Sequence, residues 1–105
     1  MTRLSSILTG PNKWCKGASA KDQNNNTTLS RSDSACKFCI GGAISRMSSG
    51  YDDECFVRNE VRKSIRKLFP GRGGQMHDVI EIEAFNDHPD TTFEDVMKVI
   101  EDSGC

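Results

Sequence analysis

The sequence lacks several features that would assign it to a broad functional class. No stretch approaches the roughly 18 consecutive apolar residues of a membrane span, and residues 1–20 hold no apolar run of the kind found in export signals. The net charge is only −1, so overall charge points to neither nucleic acid nor a membrane surface. At 105 residues without an internal repeat, the chain is expected to be one domain with no membrane contact.

Aromatic residues are also scarce. The chain has one Trp, one Tyr and five Phe, so a core can form but it will be small. The single tryptophan, Trp14, is therefore expected to anchor its segment to this core.

The cysteine count, five, is odd, and no export signal accompanies it. We therefore expect reduced thiols and a cytoplasmic location. Cys36 and Cys39 have the spacing of a metal-ligand pair, but zinc needs about four ligands. The other donors are scattered along the chain: Cys15, Cys55, Cys105, His77 and His88. Since free cysteine also packs as a small apolar residue, we interpret the pair as structural and predict neither a metal nor another cofactor.

The strongest pattern lies at residues 35–47 and predicts a central helix. Its apolar residues follow one helical stripe: Cys36, Cys39, Ile40, Ala43, Ile44 and Met47. Gly41 and Gly42 lie beside this stripe, where small residues let another backbone come close. We expect Ser32, Asp33 or Ser34 to cap the helix.

Four further helices complete the predicted fold. They are a short helix within residues 2–8, a helix from about 52 to 68, a short helix over 79–85 whose alternating pattern also suits a strand, and a last helix that ends at Gly104. Thr91 and Glu94 are expected to form the capping box of the last helix, after a turn over 86–90. Residues 20–34 read as a polar surface loop, with a small hairpin possible at its asparagines. The fold class is therefore mainly α: four to five short helices around the central one.

Charge is distributed unevenly along the chain. Residues 58–72 carry a net +5, whereas residues 78–102 carry a net −8. Either these two regions neutralise each other in the fold, or one of them faces a charged partner.

The basic residues of the second helix form a candidate contact surface. This helix is expected to begin with acidic residues at 52–54, to end with Arg66 and Lys67, as the helix dipole favours, and to bury an apolar stripe of Val57, Val61, Ile65 (or Ser64) and Leu68. Arg58, Arg62 and Arg66 are spaced four apart and form one line, opposite this stripe. Lys63 and Lys67 lie beside this line, and Arg72 extends it. A solvated helix face explains the pattern, and contact with a partner protein or with RNA phosphates is the alternative. We predict this surface to bind the partner, so reversing Arg58, Arg62 and Arg66 to glutamate should abolish binding while the melting temperature stays nearly unchanged.

Three separated motifs, taken in order, resemble one family. They are Trp14-Cys15-Lys16-Gly17-Ala18, Cys39-Ile40-Gly41-Gly42-Ala43-Ile44, and Phe85-Asn86-Asp87 followed by Thr91 or Thr92. Together they resemble a family of small bacterial and phage proteins known only as a domain of unknown function, although Phe85 stands where that family usually has Trp. The resemblance implies a compact, mostly helical domain and no particular activity.

Phage-associated chains of this size are similar in general character to small anti-CRISPR proteins. We therefore predict a non-enzymatic phage or mobile-element protein that inhibits a host defence system. The specific expectation is an RNA-guided CRISPR nuclease, so the partner would be a host protein or ribonucleoprotein.

Two alternatives stay open. Trp14, Asn86 and Asp87 offer an aromatic face with polar groups, which suits a ribose or a base and would make the chain a sponge for a signalling nucleotide; tight-turn chemistry also explains the Asn-Asp pair. Alternatively, Cys39 could be the nucleophile of a small thiol hydrolase, with His77 or His88 as its base.

Overall fold

The computed structural model describes residues 3–73 and 78–105. Within them the chain forms five α-helices and one small sheet. The helices are α1 (Leu4–Ile7), α2 (Ile40–Met47), α3 (Tyr51–Leu68), α4 (Asp78–Asp87) and α5 (Phe93–Ser103). The strands are β1 (Ala20–Lys21), β2 (Thr27–Thr28) and β3 (Lys37–Phe38), all antiparallel in the order β2-β1-β3. The prediction of a mainly helical chain is confirmed, but the chain is not purely α.

The core lies between α2 and the longer helices. Helix α2 packs against α1, α3 and α4, and α3 also packs against α5. The largest fully buried apolar side chains come from every helix: Leu4, Leu8, Ile40, Ile44, Val61, Ile65, Ile82, Phe85, Val96 and Val99. This arrangement buries the apolar stripe of each amphipathic helix against its neighbours.

Helix α3 matches its prediction closely. Asp52, Asp53 and Glu54 lie in its first turn and Arg66 and Lys67 in its last, as the helix dipole favours. The predicted stripe is buried at positions 57, 61 and 65, whereas Leu68 is 37% exposed. No helix within the described residues is long and apolar enough to cross a membrane.

The prediction for the start of the central helix is wrong. Helix α2 begins at Ile40, and Lys37–Phe38 form strand β3 instead. Phe38 pairs with Ala20 of β1 and is buried, so sheet pairing with a distant segment overrides the helical spacing. The cap is Cys39, whose sulfur accepts a hydrogen bond from the Gly42 amide at 3.2 Å, and not one of the three residues at 32–34.

Residues 20–34 contain the hairpin that the asparagines indicated. β1 and β2 pair with each other, and Asn25 takes the left-handed conformation with φ of 67°. The Asp22 carboxylate accepts hydrogen bonds from the amides of Asn24 and Asn26. The segment is thus not only a surface loop, since β1 is the central strand and Ala20 lies in the core.

The C-terminal elements differ from the predictions in detail. Helix α4 is confirmed as a helix, and it includes Asn86 and Asp87, which were predicted to lie in a turn. The capping box starts at Thr92 with Asp95 as its partner, one residue later than predicted, because Thr91 is itself buried. Helix α5 ends at Gly104, with φ of 75°, as predicted.

Candidate functional site

The three sequence motifs meet at one buried side chain. Asn86 lies in the last turn of α4 and is fully buried. Its carboxamide oxygen accepts hydrogen bonds from the Trp14 indole nitrogen at 2.7 Å and from the Ile40 amide at 3.0 Å. Its nitrogen donates to the Cys15 carbonyl at 3.0 Å and to the Asp87 carboxylate at 2.9 Å. We call this set (Trp14, Cys15, Ile40, Asn86 and Asp87) the Asn86 junction.

The loop after Trp14 is fixed across the C-terminal end of α4. The Gly17 amide donates to the Asp87 carboxylate at 3.0 Å, and Gly17 has a φ of 79° that favours glycine. The Lys16 ammonium donates to the His88 carbonyl at 2.7 Å, which places a cation where the helix dipole is negative. The same ammonium lies 5.4 Å from the centre of the Trp14 ring. These contacts explain the Trp-x-x-Gly motif, which holds this loop against the C-terminal end of α4.

The start of α2 completes the junction. A helix leaves its first amides without partners, and here Asn86 accepts from Ile40 while the Cys39 sulfur accepts from Gly42. The Cys39 amide donates to the Ser19 carbonyl at 3.1 Å. A methyl group on Gly42 would overlap the Ser19 carbonyl, so only glycine fits there. The predicted close backbone approach is therefore confirmed at Gly42, whereas Gly41 lies against the Glu83 side chain.

The Asn86 junction brings the predicted nucleotide-binding residues together but uses their polar groups within the chain. A side-chain amide can accept two hydrogen bonds and donate two, and Asn86 does both. The Trp14 indole donor is likewise occupied. A ribose or base could bond to Asn86 only by breaking bonds that hold α2, α4 and the Trp14 loop together. The geometry thus supports a structural role for these residues.

Cys39 has the properties of a packed thiol. It is 5% exposed, and burial raises its pKa to about 11. The hydrogen bond from the Gly42 amide opposes this shift, while the neighbouring Cys15 adds to it. Only about one thiol in 10⁴ is therefore ionised at neutral pH, far below what a nucleophile needs. Of the two candidate bases, His77 lies outside the described residues, and the His88 imidazole accepts from the Asp90 amide at 3.1 Å.

The cysteines do not gather into a metal centre in the described part of the chain. All five are free thiols: Cys15 and Cys39 are buried, Cys36 and Cys105 half-buried, and Cys55 exposed. Over residues 3–73 and 78–105, no group of three or more His, Cys, Asp or Glu side chains is placed to hold a metal ion.

Most of the predicted basic surface is paired with the acidic helices. Arg58 of α3 binds both carboxylate oxygens of Glu83 at 2.7 and 2.9 Å, and Arg66 binds both oxygens of Glu81 at 2.7 and 2.9 Å. Three further ion pairs join Lys63 to Glu60, Lys67 to Asp102 and Arg72 to Asp95. The opposite charges of the two regions therefore largely neutralise each other within the fold.

The expectation about charge reversal does not hold for two of its three residues. The Arg58 side chain is only 17% exposed, and a glutamate there would face Glu83. A glutamate in place of Arg66 would face the buried Glu81. Both changes should lower stability, because each replaces an attraction with a repulsion between carboxylates. Lys63 and Lys67, with side chains 64% and 68% exposed, are better probes of a contact surface.

One exposed surface was not predicted from the sequence. Tyr51 and Phe56 of α3 are 80% and 63% exposed, although large aromatic side chains are usually buried. Phe56 also lines a groove of about 370 Å³ beside Met47, Val57 and Cys105. The only signal in the sequence was that Phe56 lies one position off the apolar stripe of α3. We define the α3 outer face as Asp52, Cys55, Phe56, Asn59, Arg62, Lys63 and Arg66, all exposed except the half-buried Arg62.

The fold and the Asn86 junction define a small, mainly helical domain in which three sequence motifs meet at the buried Asn86 side chain. The chain belongs to a family of unknown function, DUF6197, whose model matches residues 2–103. No curated protein and no solved structure matches the chain. The predicted membership of an uncharacterised family is thus confirmed.

Proposed function

We propose that this chain is a non-enzymatic inhibitor, encoded by a phage or another mobile element, that binds a component of a host defence system in the cytoplasm. An RNA-guided nuclease is the target class to test first. The observation that carries the binding role is the pair of exposed aromatic side chains on α3, Tyr51 and Phe56.

Exposed aromatic groups beside cations are the usual composition of a protein contact. Aromatic and arginine side chains dominate the binding energy of protein interfaces, because they bury much area and still form polar contacts. The α3 outer face joins Phe56 to Lys63 and Arg66 within three helical turns. This face supplies both an apolar anchor and positive charge.

A protein surface fits this face better than RNA does. Asp52, Asp53 and Glu54 surround the exposed aromatic residues at the start of α3, and their charges repel phosphates. Arg66 and Lys67, at the other end, are already bonded to carboxylates. We therefore propose contact with a protein that carries acidic residues opposite Lys63, whose side chain is 64% exposed, and an apolar patch opposite Phe56.

The remaining candidate chemistry supports binding over catalysis. The Cys39 thiol is buried, with a pKa raised to about 11, and every hydrogen-bonding position of Asn86 is occupied by the chain itself. Neither the thiol-hydrolase nor the nucleotide-sponge alternative gains support from these residues.

The test is a survival assay. The gene is expressed in a host whose RNA-guided nuclease attacks a plasmid, and surviving transformants are counted. We expect the native chain to restore survival and Phe56→Ala or Lys63→Glu to reduce that rescue about tenfold or more. Leu29→Ala and Lys13→Glu are matched controls, since both residues are exposed and lie outside α3.

The outcomes separate the parts of the proposal. No rescue by the native chain, against nucleases of several types, would overturn the role in defence inhibition. Rescue that survives both α3 variants would overturn the assignment of the contact to α3.

A further inference from the structure

The residues of the α3 outer face are symmetric about Asn59. Asp52, Cys55 and Phe56 precede Asn59 by seven, four and three positions, and Arg66, Lys63 and Arg62 follow it by the same intervals. Spacings of three, four and seven residues are those of a helix–helix seam. The charges are opposite at the two ends, with acidic residues in the first turn of α3 and basic residues in the last.

We propose that two copies of this chain associate through the α3 outer face, with the two helices antiparallel about a two-fold axis at Asn59. In this arrangement, a residue that precedes Asn59 by a given interval lies opposite the residue that follows it by that interval in the second copy. The face is then complementary to itself, as a two-fold interface requires.

Each opposed pair across this axis is attractive or neutral. Asp52 lies opposite Arg66, whose side chain is 57% exposed while it holds Glu81. Phe56 lies opposite Arg62, and a guanidinium over an aromatic ring is favourable. Asn59 lies opposite Asn59 on the axis, where a polar residue fixes the register of a helix pair. In the single chain, the Asn59 side chain accepts a long hydrogen bond of 3.3 Å from Arg62, which it can exchange.

The same face does not fit a parallel pair. Parallel packing sets each residue against its own copy, so that Asp52 meets Asp52 and Lys63 meets Lys63, and like charges repel at both ends. Charge complementarity thus selects the antiparallel arrangement.

The association should be weak and should depend on concentration. One helix pair covers less than the roughly 1,200–2,000 Å² of a standard stable interface. The second copy covers the surface that the proposed function assigns to a host protein, so the two partners would exclude each other. The self-association itself does not depend on the identity of that host protein.

Cysteine cross-linking tests the geometry. In a background with Cys36 and Cys105 changed to serine, one protein keeps Cys55 and a second carries Asn59→Cys with Cys55→Ser. Both are treated with diamide, which accepts the two electrons and two protons that two thiols release when they form a disulfide. In the antiparallel pair, the two Cys55 residues are displaced by about 12 Å along the helices, beyond the roughly 7 Å that a disulfide can span.

We expect the Asn59→Cys protein to form a covalent dimer and the protein that keeps Cys55 to stay monomeric. Cross-linking of both proteins would indicate a parallel pair, in which every residue meets its own copy, and would overturn the proposal. Cross-linking of Cys55 alone would also overturn it, because Asn59 would then not lie on the axis. Cross-linking of neither protein would overturn it as well.

Sedimentation provides an independent readout. The average mass of the native chain should rise over about a hundredfold range of concentration and fall at high salt, since salt screens exposed ion pairs. Phe56→Ala and Asp52→Lys should weaken the association about tenfold or more, whereas Leu29→Ala should not. Phe56→Ala and Leu29→Ala should keep the native melting temperature, and Asp52→Lys should lower it slightly, because it places a cation at the start of α3. A mass that stays constant over this range would overturn the proposal, and because no host target takes part, that result is distinct from a failed survival assay.

Discussion

The Asn86 junction and the α3 outer face use the same residue types for opposite purposes. Asn86 is fully buried and makes four hydrogen bonds, whereas Asn59 is exposed and receives one long bond. Cys39 is buried as a helix cap, whereas Cys55 is exposed. The motifs that resemble a family satisfy one another inside the fold. Trp14, Cys39 and Asn86 therefore have structural roles, and the motifs do not indicate the exposed surface.

The largest expected effect concerns the two asparagines. Asn86→Ala leaves the Ile40 amide and the Cys15 carbonyl buried without their partner and also removes the acceptor of the half-buried Trp14 indole. Each bond lost from a buried group costs about 1–3 kcal/mol. We expect the free energy of unfolding to fall by about 3 kcal/mol or more, and the melting temperature by about 15 °C. Asn59→Ala should change stability by less than about 0.5 kcal/mol. Urea and thermal unfolding of both variants measure this difference, and equal losses would contradict the structural role of Asn86.

Cys39 should react with alkylating reagents much more slowly than Cys55, because Cys39 is buried and Cys55 is exposed. Burial raises the pKa of Cys39 from 9.0 to about 11 and so lowers its thiolate fraction about 100-fold. Iodoacetamide at neutral pH should therefore label Cys55 first, as read by peptide mass spectrometry. In urea the two rates should converge. Rapid labelling of Cys39 in the folded chain would revive its role as a nucleophile.

Gly42 and Gly50 should differ in how well they tolerate a side chain. Gly42→Ala forces a methyl group into the Ser19 carbonyl, and we expect a loss of about 2 kcal/mol in unfolding free energy. Gly50, just before α3, has extended backbone with φ of 174° and open space where a side chain would lie. Gly50→Ala should change stability by about 0.5 kcal/mol or less. A similar loss in both variants, measured by urea unfolding, would mean that the contact with Ser19 is not tight.

Arg58 and Lys63, on the inner and outer sides of α3, should differ in the stability lost on charge reversal. Arg58→Glu places a carboxylate against Glu83, and we expect a loss of about 1 kcal/mol, since Glu83 is 39% exposed and solvent weakens the repulsion. Lys63→Glu should cost less than about 0.5 kcal/mol. The double change Arg58→Glu with Glu83→Arg should recover stability. If thermal unfolding shows no recovery, the ion pair is not the cause of the loss.

The smallest expected effect is a loss of stability at acidic pH. Burial alone would raise the pKa of Asp95, but hydrogen bonds from the Arg72 guanidinium and the Thr92 amide outweigh it, and the pKa lies below 3.8. A carboxyl with a lowered pKa contributes stability that is present above its ordinary pKa and is lost as pH falls through the lowered value. Asp95→Asn and Arg72→Met should each flatten this part of the stability curve. If both variants keep the native acid slope, the Arg72–Asp95 pair does not contribute to it.

Local sequence patterns predicted most helices well, but they predicted poorly where helices begin and which distant segments they contact. Acidic and basic ends together with an apolar stripe located α3, and a glycine located the end of α5. The start of α2 was missed because the spacing at 36–39 also fits a strand, and only pairing with Ala20 decides between the two. The capping box was predicted one residue too early, because Thr91 and Thr92 are equally good caps by residue type. In the fold Thr91 is buried, and Thr92 is the cap.

The candidate site could be predicted in composition but not in role. Trp14, Asn86 and Asp87 do come together, yet no local rule shows that Asn86 would make four hydrogen bonds within the chain. The partners of Arg58 and Arg66 lie in α4, so the sequence could not show which cations are neutralised. Phe56 was missed as a surface residue because it adjoins a buried position on the same helix.

The hydrogen bonds of Asn86 to Trp14, Cys15 and Ile40 span 72, 71 and 46 residues, and this separation sets an order for folding. Local helices such as α3 form within about a microsecond, but contacts between distant segments wait for large loops to close. During synthesis, the Trp14 indole and the Ile40 amide lack their Asn86 acceptor until residue 86 has left the ribosome. The nascent chain therefore cannot complete its core until Asn86 and the buried side chains of α5 that follow it have emerged.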